Sequence, residues 1–164
     1  MTNCKVIAVA NQKGGVGKST SVYCIGGRGW LWMAGRSCWW MVDPQGDLTK
    51  MLGQRRPHDL PYTLSEQMNA SCKTRAGRST RKFCTTRSFD FVPANRRLSA
   101  VEVGLVNVMS RETVLKRYLE DVKGSYDYVL LDCARRWGCW SSMPCRLRTM
   151  CSSPCRRTIW PPRI

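Results

Sequence analysis

Residues 10–20 read Ala10-Asn11-Gln12-Lys13-Gly14-Gly15-Val16-Gly17-Lys18-Ser19-Thr20, and the rest of the chain is best read outward from them. A loop that holds phosphate needs several backbone N–H groups turned toward one point. Glycine permits that curvature and the close approach of the ligand. Gly14, Gly15 and Gly17 supply this freedom around Val16. A helix starting near Ser19 and Thr20 would add its N-terminal dipole to the attraction for anions. Lys18 is placed to reach the β- and γ-phosphates of a nucleotide, and the Ser19 hydroxyl to hold Mg2+. The plain phosphate-loop pattern asks for glycine at position 12. Gln12 stands there instead, followed by a second lysine, Lys13. The bland alternative is a chance glycine-rich turn, and the flanking sequence argues against it.

Before the loop, Lys5-Val6-Ile7-Ala8-Val9-Ala10 is a short apolar run suited to a buried parallel strand. After it, a helix is expected from Ser19. Asp43-Pro44-Gln45-Gly46 is a turn following a second strand. Thr63-Leu64-Ser65-Glu66 has the spacing of a capping box at a helix start. Phe89 to Val92 is a strand ending in Pro93-Ala94-Asn95. Ser110 can cap a helix through about Lys123, with Val114, Leu115, Tyr118, Leu119 and Val122 at helical spacing. Tyr126 to Leu131 is another buried strand, ending at Asp132. Strands alternating with helices predict an α/β fold, a parallel sheet with helices on both faces.

Taken together, four motifs carry a family resemblance. Residues 10–20 closely resemble the deviant, two-lysine Walker A motif of the ParA/MinD partition ATPases, a P-loop NTPase family. Asp43-Pro44-Gln45-Gly46, Phe91-Val92-Pro93-Ala94-Asn95 and the strand Tyr128-Val129-Leu130-Leu131-Asp132 resemble the family's later motifs, in family order. The resemblance implies ATP and Mg2+ as cofactors and ATP hydrolysis as the reaction. Gly14, Gly15, Val16, Gly17, Lys18, Ser19 and Thr20 would cradle the nucleotide. Lys13 would cross an ATP-sandwiched homodimer to the partner's nucleotide, adding a cation against developing phosphate charge. Asp43 would position or activate the attacking water, and Asp132 would hold Mg2+ with Ser19. Taken alone, Asp43 reads as a turn residue before Pro44, and Asp132 equally as a helix N-cap after a strand. The family segregates plasmids or chromosomes, with DNA and a centromere-binding ParB-like protein as partners, and acts in the bacterial cytoplasm on the nucleoid.

Composition divides the chain in two. The formal charge is +16 over 164 residues. Segments 28–41, 71–88 and 133–164 hold fifteen basic residues and no acidic one, whereas the rest holds twelve and eleven. All seven tryptophans and eight of the ten cysteines lie in those segments. Where the family's second strand carries its first acid, this chain has Met41 in Trp39-Trp40-Met41-Val42-Asp43. A codon argument accounts for this. Lys-Leu-Leu-Val-Asp-Val, written AAG-TTG-CTG-GTG-GAT-GTG and read one base later, gives Ser-Cys-Trp-Trp-Met, the residues at 37–41. Residues 81–87 and the tail from Ala134 admit similar shifted readings. These segments are therefore read as out-of-frame translation. On this reading residues 1–132 form the ATPase domain, 133–164 is a tail that is not native-like, and the fold is incomplete at its C-terminus. Trp39, Trp40 and the helix expected over 18–35 should strain a sheet core.

Other classes are weaker. No apolar run reaches the ~18–20 residues of a membrane span. The N-terminus lacks a basic-then-apolar signal region, so a cytoplasmic location and reduced cysteines are expected. Cys139, Cys145, Cys151 and Cys155 lack the paired spacing of zinc knuckles. His58 lies in a polar loop and reads as solvated surface. The alternatives are a MinD-like or nitrogenase-reductase-like ATPase, a non-functional product of a ParA-like gene, and a small basic nucleic-acid binder.

Overall fold

The computed structural model describes residues 4–11, 13–27, 35–73, 83–86, 89–105, 114–134 and 150–152. In chain order the elements are β1 (Lys5–Val9), α1 (Lys18–Gly27), β2 (Ser37–Val42), α2 (Asp47–Met51), α3 (Leu64–Lys73), β3 (Cys84–Thr85), β4 (Asp90–Val92), α4 (Arg97–Leu105), α5 (Val114–Lys123), β5 (Tyr128–Cys133) and β6 (Met150–Ser152). They build one six-stranded sheet in the order β3-β4-β2-β5-β1-β6. Every pairing is parallel except β3 with β4. The fold is thus the expected α/β class, with an antiparallel edge strand added.

The two central pairings are the longest. β5 runs beside β1 from Lys5↔Tyr128 to Val9↔Asp132, and beside β2 from Ser37↔Tyr128 to Val42↔Cys133. Buried on both faces, these strands are almost wholly apolar, as parallel strands covered by helices must be. Val129, Leu130 and Leu131 are fully buried, as are Trp39, Trp40 and Val42. Successive strand residues point to opposite faces. Trp39 meets α1 at Gly26 and stacks on Phe89, with ring centroids 3.8 Å apart and planes 3° from parallel. Trp40 meets Tyr118 of α5 edge-on at 4.8 Å. Helices therefore cover both faces.

The tryptophans correct one expectation. Trp39 fits the core because Gly26 leaves room: a Cβ there would fall inside its indole. The Trp39 indole N–H, however, is buried without a hydrogen-bond partner, whereas that of Trp40 donates to the Cys38 sulfur at 3.2 Å. Met41 accepts a 2.8 Å contact from the Thr49 hydroxyl. The helix after the loop ends at Gly27, and residues 28–34 lie outside the described residues.

The tail differs too. Residues 150–152 pair with β1 as an outer parallel strand, because an open sheet edge offers unpaired N–H and C=O groups to any extended backbone. Cys133, counted with the tail, closes β5; residues 135–149 and 153–164, with Cys139, Cys145 and Cys155, lie outside the described residues, as does the Ser110 cap. Tyr118, Leu119 and Val122 bury the face expected of α5. At α3 the capping box forms in part: the Thr63 amide donates to Glu66 Oε2 at 3.0 Å, and the Thr63 hydroxyl meets the same carboxylate. No helix among the described residues is long and apolar enough to cross a membrane.

Candidate nucleotide-binding site

Register brings the site together. Asp132 sits on β5 with Val9 of β1 on one side and Met41 of β2 on the other. Beyond Val9 the chain leads into the glycine loop that begins at Lys13, and two residues beyond Met41 lies Asp43. All three therefore gather at the carboxyl ends of parallel strands, where open α/β sheets bind ligands.

The loop spans Lys13 to Gly17, and α1 begins directly at Lys18. Gly15 and Gly17 have φ of 70° and 79°, a left-handed conformation that side-chain-bearing residues rarely adopt. A Cβ at either would meet nothing within 4 Å, so backbone conformation, not crowding, requires glycine there. Asn11, not singled out for a role above, shapes the loop's entry: its Oδ1 accepts the Lys13 amide at 2.9 Å. The signal was available, since asparagine side chains commonly bond the backbone two residues on. Gln12 lies outside the described residues.

Two charged groups are buried at this junction. Lys18 is 6% exposed and Asp132 1%. A buried charge is costly unless paired or solvated by a ligand. The Asp132 carboxylate accepts a hydrogen bond from Ser19, yet its Oδ1 has no partner. Burial pushes its pKa up to about 7; Ser19 and the Lys18 charge pull the other way, while the Asp43 and Asp47 carboxylates add to the rise. An orphaned carboxylate oxygen beside a serine hydroxyl is the donor set of a hard cation. The buried ammonium with the loop amides is that of a phosphate. The residues thus fit magnesium with a nucleotide. Asp132 lies inside the strand, not at a helix start, which removes the N-cap reading.

Asp43 is half-buried and does serve as a turn residue. Its Oδ1 accepts the Gln45 amide at 2.9 Å and its carbonyl the Gly46 amide at 3.1 Å. Lys13 is exposed, and so are Gly15 and Thr20. Asn95, closing the Pro-Ala-Asn motif, is buried and ties two helix starts together. Its Oδ1 accepts from the Ser65 hydroxyl at 3.0 Å and from the Arg97 amide at 3.1 Å.

The profile of the AAA domain family matches residues 4–143. The chain belongs to the ParA/MinD-type partition ATPase family. It is 36% identical over 135 residues to the sporulation initiation inhibitor protein Soj of Bacillus subtilis, covering 79% of this chain and 49% of that protein. It is 34% identical over 142 residues to the chromosome partitioning protein ParA of Caulobacter vibrioides, covering 79% and 47%. The chain spans about half the length of the curated relatives it matches. Among solved structures it superposes on cobyrinic acid a,c-diamide synthase from Mycobacterium smegmatis, solved with ADP and magnesium. The TM-score is 0.78 at 30% identity, over 93% of this chain and 59% of that one. The fold is shared with an ATP complex of Cyanothece McdA, at a TM-score of 0.75 and 20% identity, over 94% and 57%.

Proposed function

We propose that this chain binds MgATP at residues 13–20 and hydrolyses it as a nucleotide-sandwiched homodimer in the partitioning of plasmid or chromosomal DNA in the bacterial cytoplasm. The observation that carries this is the pair of buried groups, Lys18 and Asp132, the latter beside Ser19 with one carboxylate oxygen left without a partner. Lys18 binds the β- and γ-phosphates, and the loop amides with the α1 N-terminus hold the remaining phosphate oxygens. Ser19 and Asp132 hold the metal. Bound Mg2+ supplies charge neutralisation on the phosphate oxygens. Asp43, fixed by its turn, orients the attacking water. Lys13, exposed on the loop, is free to reach a second copy's nucleotide. DNA and a ParB-like centromere-binding protein are the partners that the family resemblance implies.

The test is MgATP binding by the purified full chain. Wild type should bind and Lys18→Ala should lose affinity by more than about tenfold, as removal of a charged hydrogen bond at ~1.5–3 kcal/mol predicts. Lys13→Ala should keep binding yet lose hydrolysis. If wild type binds no MgATP, the proposal is wrong, and a product without activity is the better description.

One observation favours that second reading. Met41 occupies the family's first acidic position on the strand next to Asp132, and it lies in a segment for which one allowed codon choice, shifted by one base, reads as the family pattern. Resequencing the locus decides it: an intact frame through 28–41, 71–88 and 133–164, with matching peptide masses, would discard the frameshift.

A further inference from the structure

Four basic side chains, Lys50, Arg55, Arg56 and Arg96, line one depression of about 460 Å³, together with Gln45 and Asp59. The sequence places them in what reads as a solvated polar loop and a separate strand end. The fold brings them together in two steps. After α2 the chain doubles back through Gly53, at φ 90°, with the Gly53 amide on the Lys50 carbonyl and the Gln54 amide on the Thr49 carbonyl. Arg55 and Arg56 thereby return toward Lys50. Gly46 then packs against the Ala94 carbonyl and Pro57, so closely that a Cβ would lie 2.9 Å from that oxygen. This draws Arg96, two residues after Ala94, to the same place.

The charges there are unbalanced. Asp59 is the one lining carboxylate, and it lies 3.9 Å from Arg56 with both side chains exposed, a pair of little strength. Lys50 is engaged by Asp47 at 2.9 Å. Arg55 and Arg96 have no anionic partner among the described residues. Convergent like charges repel, and an anion among them relieves that repulsion. Guanidinium forks match the paired oxygens of phosphate groups. The volume falls in the small-molecule range, roughly 300–1,000 Å³, and four cations converging on one shallow depression match the clustered charge of a compact polyphosphate.

We propose that this depression is a second anion site that binds a small ligand carrying a diphosphate or triphosphate. It shares no residue with loop 13–20, so it stands independently of the function proposed above. Its occupant would touch Gln45, whose amide holds the Asp43 carboxylate.

The probe is inorganic pyrophosphate, titrated calorimetrically into full-length protein carrying Lys18→Ala, which silences the glycine loop. Binding should persist in that background. It should weaken about tenfold with Arg55→Gln or Arg96→Gln, and hold with Arg97→Gln, a nearby arginine outside the depression paired to Glu66. Wild type, tested alongside in case Lys18→Ala folds poorly, should show this site in addition to the glycine loop, and Arg96→Gln should weaken this one alone about tenfold. Indifference to Arg55→Gln and Arg96→Gln would overturn the proposal, as would equal weakening by Arg97→Gln, which would mean diffuse charge. Duplex DNA binding lost with Arg55→Gln and Arg96→Gln, with no pyrophosphate binding, would also overturn it and assign the surface to a nucleic-acid backbone.

Discussion

β5 and β2 lie side by side in one sheet and solve the same packing problem with opposite materials. β5 is Tyr128-Val129-Leu130-Leu131-Asp132-Cys133, medium-sized apolar residues closing on an acid. β2 is Ser37-Cys38-Trp39-Trp40-Met41-Val42, and opposite Asp132 it carries Met41. Every residue of β2 is buried. The difference shows that backbone register seats a strand, while bulk at each position is tolerated only if a neighbour yields space. On one face Gly26 yields it and Phe89 fills the remainder by stacking. On the other, Tyr118 takes the edge of Trp40. The chemistry does not transfer in the same way: at the paired position β5 carries a carboxylate and β2 a thioether that Thr49 caps.

The largest expected effect breaks that accommodation. Gly26→Ala should destabilise the protein by about 3 kcal/mol, since overpacking a filled core forces side chains off their rotamers. The same substitution combined with Trp39→Val should cost much less. Urea denaturation of the single and double variants gives the coupling energy directly, and additive losses would mean that Gly26 and Trp39 do not share the space.

A smaller effect sharpens the contrast at Asp132 against Met41. Its pKa is raised to about 7 by burial, so the folded, metal-free protein holds a proton that the unfolded chain releases near pH 4. Stability then falls as pH rises from about 4 through 7, and the loss is complete above that. Asp132→Asn removes the titrating group. It should raise metal-free stability at pH 8 by about 1–3 kcal/mol, change little at pH 4, and abolish magnesium-dependent tightening of nucleotide binding. Thermal melts at both pH values with chelator present measure this, and a variant less stable than wild type at pH 8 would contradict it.

The smallest effect lies away from both strands, at the start of α3. Burial pushes the Glu66 carboxyl up, but hydrogen bonds from Thr63 and Arg97 outweigh it and hold its pKa below the ordinary value. Its contribution is therefore present above the unfolded pKa and is lost as pH falls through the folded one. Because Glu66 is partly exposed and its Arg97 contact is 3.3 Å on the surface, solvent screening keeps the effect small. Glu66→Gln should cost about 0.5–1 kcal/mol at pH 7 and close to nothing at pH 3. Equal losses at both would assign the effect to packing instead.

Much of this was legible because it depends on local chemistry. Glycines at 15 and 17, a lysine and serine after them, and an apolar strand before them specify a phosphate loop with little help from the rest of the chain. The capping box at Thr63 and the apolar stripe of α5 are likewise local. The turn at Asp43 was legible in form, and the structure gives it that form. The second strand was expected before Asp43, but its packing was not legible, since two adjacent tryptophans carry no signal for which helix will leave room. Nor was the pairing of 150–152, which rests on backbone hydrogen bonds at an open edge. The grouping of Arg55 with Arg96 was also hidden, because it depends on Gly46 closing against the Ala94 carbonyl, 48 residues away in sequence.

The sequence by itself determined the family, the α/β class and the glycine loop between β1 and α1, because those rest on residue type and short-range spacing. Only the tertiary structure decided that Asp132 is buried with an unsatisfied oxygen beside Ser19, that Trp39 has a partner in Gly26, and that four cations share one depression. Each of those depends on parallel strands brought into register across long stretches of chain, and on the side-chain volume that register leaves open.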